Sequence, residues 1–464
     1  MAWRGYRLRG MTTTRDYDHV IVGCGPTGYE VLMEILASPE ASSQILIIDP
    51  NLFQTSELDG PTFNPPTVRD IAEAERSTRG MGKSGKSITE HGCEESGSLH
   101  WGASTLPLID FDTHDYQFNS LEFGEAYEKV TRSWNIQTPQ TGKKSRFPIT
   151  SEITCSSPFR PWVVNHFGDL DELMFSRLAL ERSNTEFLSP NAVSKPWNTS
   201  KDLGEILHTF PNVHIENSSV QLVSRQNKTI TITNGVNINY RKLYLSGGWR
   251  TTQKIVNSIL QVSTNVKTTP VALLPFYLND SMPEDEYSSE MTFSEILYPR
   301  ILNDKVISMS QLYFPSKNIS GRMISSLPRF GYELMLKSKN LQSGKMARRF
   351  GILMVFFEAI PINETKQIVI PKIKKELSEI KSALGKLGIH CVNLHGKLLL
   401  NGSSHHTGDL YIPGAKSSMS TFNESLKMNS IYITDTSALR NIQPGPHTSI
   451  AAASARALVK RAVS

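Results

Sequence analysis

A glycine-rich turn near the amino terminus constrains the fold of this chain more than any other feature. The apolar run YDHVIV (17–22) predicts a buried parallel strand, and the turn Gly23-Cys24-Gly25-Pro26-Thr27-Gly28 follows it directly. Helically spaced residues come next, and QILIID (44–49) predicts a second buried strand. Asp49 ends that strand, 21 residues after Gly28. A GxGxxG motif in this setting is typical of dinucleotide-binding domains.

Each glycine of the turn has its own expected role. Gly23 permits the tight turn, Gly25 lets the backbone approach a pyrophosphate, and Gly28 lets the helix pack against the strand. Thr27 lies in the first helical turn, where free N–H groups and the positive end of the helix dipole attract phosphates. Asp49 is expected to accept hydrogen bonds from ribose hydroxyls. The alternative is a strand-to-helix turn that binds nothing.

The layout after this unit favours FAD over NAD. NAD-dependent enzymes usually continue into further regular strand–helix repeats, but residues 51–96 are polar and rich in Gly, Ser and Thr. Strand patterns resume only near residue 212, and the last sixty or so residues resemble a return to the same domain. Such an interrupted path is typical of FAD enzymes, in which distant segments meet the flavin.

The sequence predicts an α/β protein with a discontinuous Rossmann-type FAD-binding domain and an α+β substrate-binding (cap) domain. The predicted segments are a disordered tail (1–14), a first FAD-binding segment (15–110), a connecting or cap segment (111–204), a second FAD-binding segment (205–264), the substrate-binding domain (265–398) and a third FAD-binding segment with the catalytic residues (399–464).

Local patterns predict the elements of the later segments. Alternating residues from 212 to 247 predict a meander of strands. The runs TPVALLPFYL (269–278), ILMVFFEAI (352–360) and KQIVIP (366–371) read as strands. The stretch KIKKELSEIKSALGKL (372–387) predicts a helix, and so does the alanine-rich segment that ends the chain.

Composition argues against several classes of function. The 49 basic and 44 acidic residues are scattered, without the dense basic stripe of a nucleic-acid-binding protein. The four cysteines lie far apart and form no CxxC pair, so neither a metal site nor a disulfide framework is expected. No apolar run reaches the length of a membrane span. The default expectation is a cytoplasmic protein.

Five separated blocks resemble the glucose–methanol–choline (GMC) oxidoreductases. They are DHVIVGCGPTG (18–28), SLHWGAST (98–105), KLYLSGGWRTTQKIVNS (242–258), SSHHTGDL (403–410), and IYITDTSAL (431–439) with PGPHTSIAAASARALVKRAV (444–463). The blocks occur in the family's order and span the chain. The second and third are most similar to the pyranose oxidase branch.

The resemblance implies two catalytic histidines. His405 matches the family's general base, three residues before Gly408, and His447 matches a second residue that holds the substrate oxygen. An imidazole suits the removal of a hydroxyl proton, because its pKa lies near working pH. His447 lies 42 residues after His405, close to the family's spacing. His406 is a competing candidate for the base, and Asp409 replaces the family's usual Thr.

The same resemblance implies further cofactor contacts. Gly247 belongs to the small-residue turn beside the nucleotide, Val220 matches a backbone clamp on adenine, and Asp435 matches a contact to the ribityl–pyrophosphate portion. The remaining expected contacts are His100, Trp101 and Gly102 in the flavin-contacting loop, and His447 and Thr448 before the last helix.

In the pyranose oxidase branch the residue that matches His100 is joined covalently to the flavin. This chain has Gly102 and Ala103 where that branch has Thr and Cys, so a non-covalent contact or a packing role for His100 stays open. A plain core role likewise stays open for Val220, and a turn role for Asp435.

The resemblance implies oxidation of a CH–OH group of a sugar, cyclitol or related alcohol by hydride transfer to flavin N5. The electron acceptor, oxygen or another compound, and the oligomeric state are not fixed by the sequence. Two alternatives are another FAD oxidoreductase, such as an amine oxidase or an NAD(P)H-linked enzyme, and a non-catalytic binding or escort protein with the FAD fold. A second GxGxxG motif and a redox CxxC are absent, which argues against a reductase.

Overall fold

A computed structural model of the chain describes residues 14–50, 104–105, 120–137, 159–167, 170–179, 197, 199–261, 264–287, 294–303, 305–316, 345, 347–361, 366–391, 397–399, 409–411, 426–427, 429–439, 444–445 and 448–464.

The described elements alternate between strands and helices along the chain. The strands are β1 (Thr14–Val22), β2 (Ile45–Ile48), β3 (Ser104–Thr105), β4 (Ile136–Gln137), β5 (Met174–Phe175), β6 (Arg177–Ala179), β7 (Val213–Glu216), β8 (Val220–Ser224), β9 (Thr229–Ile232), β10 (Asn237–Leu245), β11 (Asn265–Thr268), β12 (Val271–Leu278), β13 (Ile296–Leu302), β14 (Lys305–Tyr313), β15 (Phe350–Phe357), β16 (Ile360–Pro361), β17 (Ile389–Cys391), β18 (Lys397–Leu399), β19 (Asp409–Tyr411) and β20 (Ile431–Ile433). The helices are α1 (Pro26–Leu36), α2 (Ser120–Ser133), α3 (Pro161–Phe167), α4 (Thr199–Thr209), α5 (Gly248–Leu260), α6 (Glu284–Tyr287), α7 (Lys366–Lys386) and α8 (Thr448–Val463). Two 3-10 turns span Ala347–Arg349 and Thr436–Ala438.

The main sheet is a parallel sheet with an antiparallel extension. Its parallel portion has the order β7-β2-β1-β10-β20, and the first half of β10 pairs with β9, which pairs with β8. β10 and β20 are neighbours although all strands of the second large sheet except β5 lie between them in the sequence. The discontinuous path expected for this domain is therefore observed.

Helices cover both faces of the main sheet. On one face α1, α2, α4 and α8 enclose an apolar core in which the rings of Trp134 and Trp197 stack at 4.7 Å. On the other face α5 packs against the sheet through Ile255, Val256 and Ile259. Parallel strands buried on both faces read as continuous apolar runs, which is why β1 and β2 were predictable.

The second large sheet is antiparallel, with the order β17-β12-β15-β14-β13-β5 and β18 paired to β12. Its core includes residues of α3 and α7. Two small sheets, β16-β11-β19 and β3-β6-β4, complete the described pairing. The chain is thus a mixed α/β protein with an α+β portion, as the sequence predicts.

Two local predictions were wrong. KQIVIP is the start of helix α7, because buried Val369, Ile373, Ile380 and Leu384 continue one helical stripe through Pro371. The predicted meander lacks its first strand, since β7 pairs in parallel with β2. The Asn212 amide fixes this pairing by donating to the carbonyl oxygens of Ala41 and Ser43. Separately, the predicted boundary between the connecting segment and the second FAD-binding segment, at 204/205, lies inside helix α4.

A buried ionic network joins α1 to α8 and α2. Glu30 accepts from Trp134 Nε1 at 2.8 Å and pairs with Arg456, which also donates to Glu34 at 2.9 Å. Lys129 approaches Glu34 from α2 at 2.9 Å. Burial raises the pKa of Glu30, and the Arg456 guanidinium opposes that rise. The network therefore fixes the helix that follows the glycine turn.

Replacing Arg456 by Met should lower the free energy of unfolding by about 3–5 kcal/mol, because Glu30 is left buried without its counter-charge. Urea unfolding measures this loss. The control is Arg132→Met, which removes an exposed pair with Glu128 and should cost less than about 1 kcal/mol. Equal losses in the two variants would contradict the assignment.

Candidate functional site

Four turns leave the main sheet side by side at the carboxyl ends of its parallel strands. Backbone hydrogen bonds continue one residue past the strands and hold these turns together. They are Asp49 N–H to Glu216 O (3.1 Å), Gly23 N–H to Ile48 O (2.9 Å), Ser246 N–H to Val22 O (2.8 Å) and Thr434 N–H to Leu245 O (3.0 Å). This edge is where open α/β sheets bind ligands.

The turns after β1 and β10 approach so closely that side chains are excluded. Gly23 has φ of +87°, and a Cβ there would lie 2.5 Å from the Gly247 Cα. A Cβ on Gly28 would lie 2.1 Å from the carbonyl oxygen of Gly23. The predicted roles of these glycines in the turn and in helix packing therefore have a steric basis in the structure.

Gly25 differs from the other two glycines of the motif. Among the described residues, a Cβ built on it meets no atom within 4 Å, so the described packing does not require glycine there. Gly25 caps α1 without a side-chain hydrogen bond, and the first turn of α1 carries no acidic residue. The first turn of α1 thus has backbone N–H groups that no described side chain caps, which suits an anion.

Asp49 holds the glycine turn in place. Its Oδ2 accepts from the Cys24 N–H at 2.8 Å. The side-chain amide nitrogen of Asn217 donates to the Asp49 carbonyl oxygen at 3.3 Å. Val220 begins β8 three residues later and is half-buried. The sites predicted for ribose and adenine are therefore neighbours, and their contacts to a nucleotide stay predictions.

The N-terminus of α5 is already neutralised by a carboxylate of the chain. Asp435 is buried and accepts from Thr252 Oγ1 at 2.5 Å, from Ser437 N–H at 2.9 Å, and from the Gly248 backbone. Burial raises the pKa of Asp435, while these hydrogen bonds oppose the rise. Asp435 thus anchors the turn after β20 to α5, and its predicted contact to the cofactor stays a prediction. By contrast, no described side chain caps the N-terminus of α1.

The buried hydroxyl of Ser449 lacks a hydrogen-bond partner among the described residues. Ser449 Oγ lies in the first turn of α8, which begins at Thr448. Buried hydroxyls normally have partners, so this one marks a place where a polar ligand group fits. Sequence reasoning missed Ser449, although a hydroxyl residue at a helix start was an available signal.

The structure brings together the described portion of the predicted site and leaves the rest untested. Gly23, Gly25, Thr27, Gly28 and Asp49 share the carboxyl edge of the sheet with the turns of Gly247 and Asp435. The predicted residues His100, Trp101, Gly102, His405, His406 and His447 lie outside the described residues.

Three solved structures of formate oxidase have a similar fold. A crystal structure of formate oxidase superposes with a TM-score of 0.54 at 10% sequence identity, over 97% of this chain and 99% of that one. Two variants of the Aspergillus oryzae RIB40 formate oxidase, studied for FAD modification, give TM-scores of 0.53 and 0.51 at 10% identity. The two superpositions cover 98% and 99% of the variant chains and 97% of this one.

At this level of identity the likeness shows the fold alone. It agrees with the Rossmann-type, GMC-like fold expected from the sequence and gives no support to the pyranose oxidase branch in particular. No protein-family model and no curated protein matches the chain. Among the described helices, none is both long and apolar enough to cross a bilayer.

Gly28→Ala should destabilise the fold by about 2–3 kcal/mol, because the new methyl group must displace the backbone of the preceding turn. Gly25→Ala is the matched control and should cost less than about 1 kcal/mol without any ligand, since its Cβ meets open space. Chemical denaturation of both variants without added nucleotide measures the difference. Similar losses would show that the two glycines do not have separate roles.

Proposed function

We propose that this chain binds FAD and oxidises a CH–OH group of a sugar, cyclitol or related alcohol. The observation that carries the cofactor assignment is the N-terminus of α1, which no described side chain caps, behind a glycine turn where no described residue fills the space at Gly25. The fold likeness to formate oxidase, whose variants were studied for FAD modification, supports FAD over other dinucleotides.

The described residues fit FAD at this edge. Backbone N–H groups of α1 would hold the diphosphate, with Thr27 in the first turn. Asp49 would receive the ribose, and the half-buried start of β8 at Val220 would border the adenine. The unpaired buried hydroxyl of Ser449 would meet a polar group of the cofactor.

Bound FAD supplies the acceptor for a hydride, and the chain supplies proton transfer and positioning. We assign His405 as the base that takes the proton of the substrate hydroxyl, and His447 as the residue that holds the substrate oxygen. The family resemblance of SSHHTGDL and of the segment before α8 supports both roles. Neutral imidazole is the competent form of His405, so activity should rise as pH increases through its pKa.

A sugar-like substrate follows from local motifs. The blocks around His100 and Gly247 resemble the pyranose oxidase branch, whereas the fold neighbours that carry a substrate in their names are formate oxidases. Formate therefore belongs in any substrate screen beside sugars, cyclitols and small alcohols. NADH and an amine test the two other flavoenzyme classes, and a purified protein without flavin colour would favour a binding protein.

Gly25→Ala should weaken FAD binding at least about tenfold, because the methyl group occupies the space through which the diphosphate reaches the N-terminus of α1. Quenching of flavin fluorescence during titration measures the affinity. Gly204→Ala is a control in α4, where a Cβ also meets open space. Unchanged FAD affinity in Gly25→Ala would remove the diphosphate from this turn.

His405→Ala should slow anaerobic bleaching of the flavin by the preferred substrate about 10²–10⁴-fold, since the hydroxyl proton loses its acceptor. Flavin absorbance at about 450 nm follows the reaction, and retained colour shows that FAD is still bound. His406→Ala is the matched control and should bleach at close to the parental rate. The reverse result would move the base to His406.

A further inference from the structure

We propose that Arg177 is the binding residue of a second site, which takes an oxygen anion such as a carboxylate or a phosphate. Arg177 is 2% exposed, yet its Nε and Nη1 atoms are buried without a hydrogen-bond partner. Within the described portion of the chain it forms no ion pair. The ligand binds in addition to the glycine turn of the proposed cofactor site.

Comparison with the other buried arginines makes Arg177 an exception. The buried Arg160 donates from Nε to Glu295 at 2.8 Å and from Nη1 to the Pro315 carbonyl at 2.6 Å. The buried Arg456 is shared between Glu30 and Glu34. A charge taken out of water is unfavourable unless it is paired, and the chain supplies carboxylates in both of those cases. A ligand therefore supplies the counter-charge that no described residue provides for Arg177.

The surroundings keep the guanidinium in place. Arg177 lies in β6, the middle strand of the sheet β3-β6-β4, with its backbone opposite Thr105. Thr105 Oγ1 donates to the Arg177 carbonyl at 3.1 Å, and the neighbouring Ser176 N–H donates to Glu295 O at 3.0 Å. Hydrogen bonds thus hold β6 at Arg177 and at its neighbour. A shift of the strand that would bring the guanidinium into water must break them.

One wall of the site is the ring of Tyr127, a fully buried residue of α2. Arg177 Cζ lies 5.8 Å from the centroid of that ring. A cation–π contact occupies one face of the guanidinium plane and leaves its N–H edge for hydrogen bonds. Burial strengthens an ion pair formed at that edge, because water does not screen it.

The geometry of the guanidinium selects the ligand class. Its N–H groups form two forks, Nε with Nη2 and Nη1 with Nη2, and each fork matches two oxygens of a carboxylate or phosphate. Either docking mode satisfies one of the two orphaned donors of Arg177 directly. A halide offers no such pair of acceptors, so chloride should bind poorly by comparison.

Two sources can supply such an anion. One is a small carboxylate that acts as substrate or effector, and the other is a phosphate group of a substrate or effector. Arg177 pairs in register with β3, which directly follows in the sequence the SLHWGA segment that the proposed function assigns to the flavin. The test separates the sources and reads stability, so it does not depend on any oxidation reaction.

The test measures the melting temperature of the full chain in sodium formate, acetate or phosphate against sodium chloride at equal ionic strength. Each titration is run without added FAD and with saturating FAD. The parental protein should gain at least about 2 °C, saturably, in one oxyanion relative to chloride. A gain in formate or acetate that persists with FAD identifies a carboxylate site, and a gain in phosphate that persists with FAD identifies a phosphate site. A gain that saturating FAD abolishes places the anion at the cofactor site and overturns the proposal of a second site.

Arg177→Met should lose the oxyanion response and, in chloride without FAD, should melt at or above the parental temperature, because an unpaired buried charge is removed. Arg177→Gln serves as a second variant that keeps polar character. Arg160→Met is the control for a paired arginine and should melt well below the parental protein. The proposal fails if the parental protein responds no more than in chloride, if Arg177→Met responds equally, or if both Arg177 variants lose as much stability as Arg160→Met.

Discussion

The structure depends on the close approach of two backbone turns, one after β1 and one after β10. No side chain fits between Gly23 and Gly247, and the Ser246 N–H donates to Val22 O at 2.8 Å across the same gap. This contact closes the carboxyl edge of the sheet around α1. Asp49 and Asp435 then fix the two turns through backbone hydrogen bonds, and Asp435 neutralises α5, whereas no described side chain caps the N-terminus of α1 at Gly25.

Charge neutralisation follows one rule throughout the described residues. Asp435 neutralises the N-terminus of α5, Arg456 neutralises Glu30, and Arg160 neutralises Glu295. The N-terminus of α1 and the guanidinium of Arg177 depart from this rule, since no described side chain neutralises either of them. Because buried charges and dipoles are costly when unpaired, both departures point to ligands that the polypeptide itself does not supply.

The sequence predicted the first strand–turn–helix unit because both signals are local: continuous apolar strands and a glycine spacing that only one turn geometry satisfies. It did not predict that β7 joins β2 in parallel, since that pairing depends on Asn212 contacts with a distant turn. KQIVIP carries β-branched residues, and only packing of Val369 against the second core reveals the helix. Arg177 gave no signal at all, because a lone arginine becomes informative only when its burial and its missing partner are known.

The central claim is that the turn after β1 and the N-terminus of α1 receive the diphosphate of FAD. Hydrogen–deuterium exchange with and without FAD tests it most directly, because bound phosphates protect the amides that contact them. The account predicts the largest protection in peptides that cover residues 22–30, with further protection at 434–439 and at the start of α8. Protection absent from residues 22–30 while FAD is bound elsewhere would contradict it.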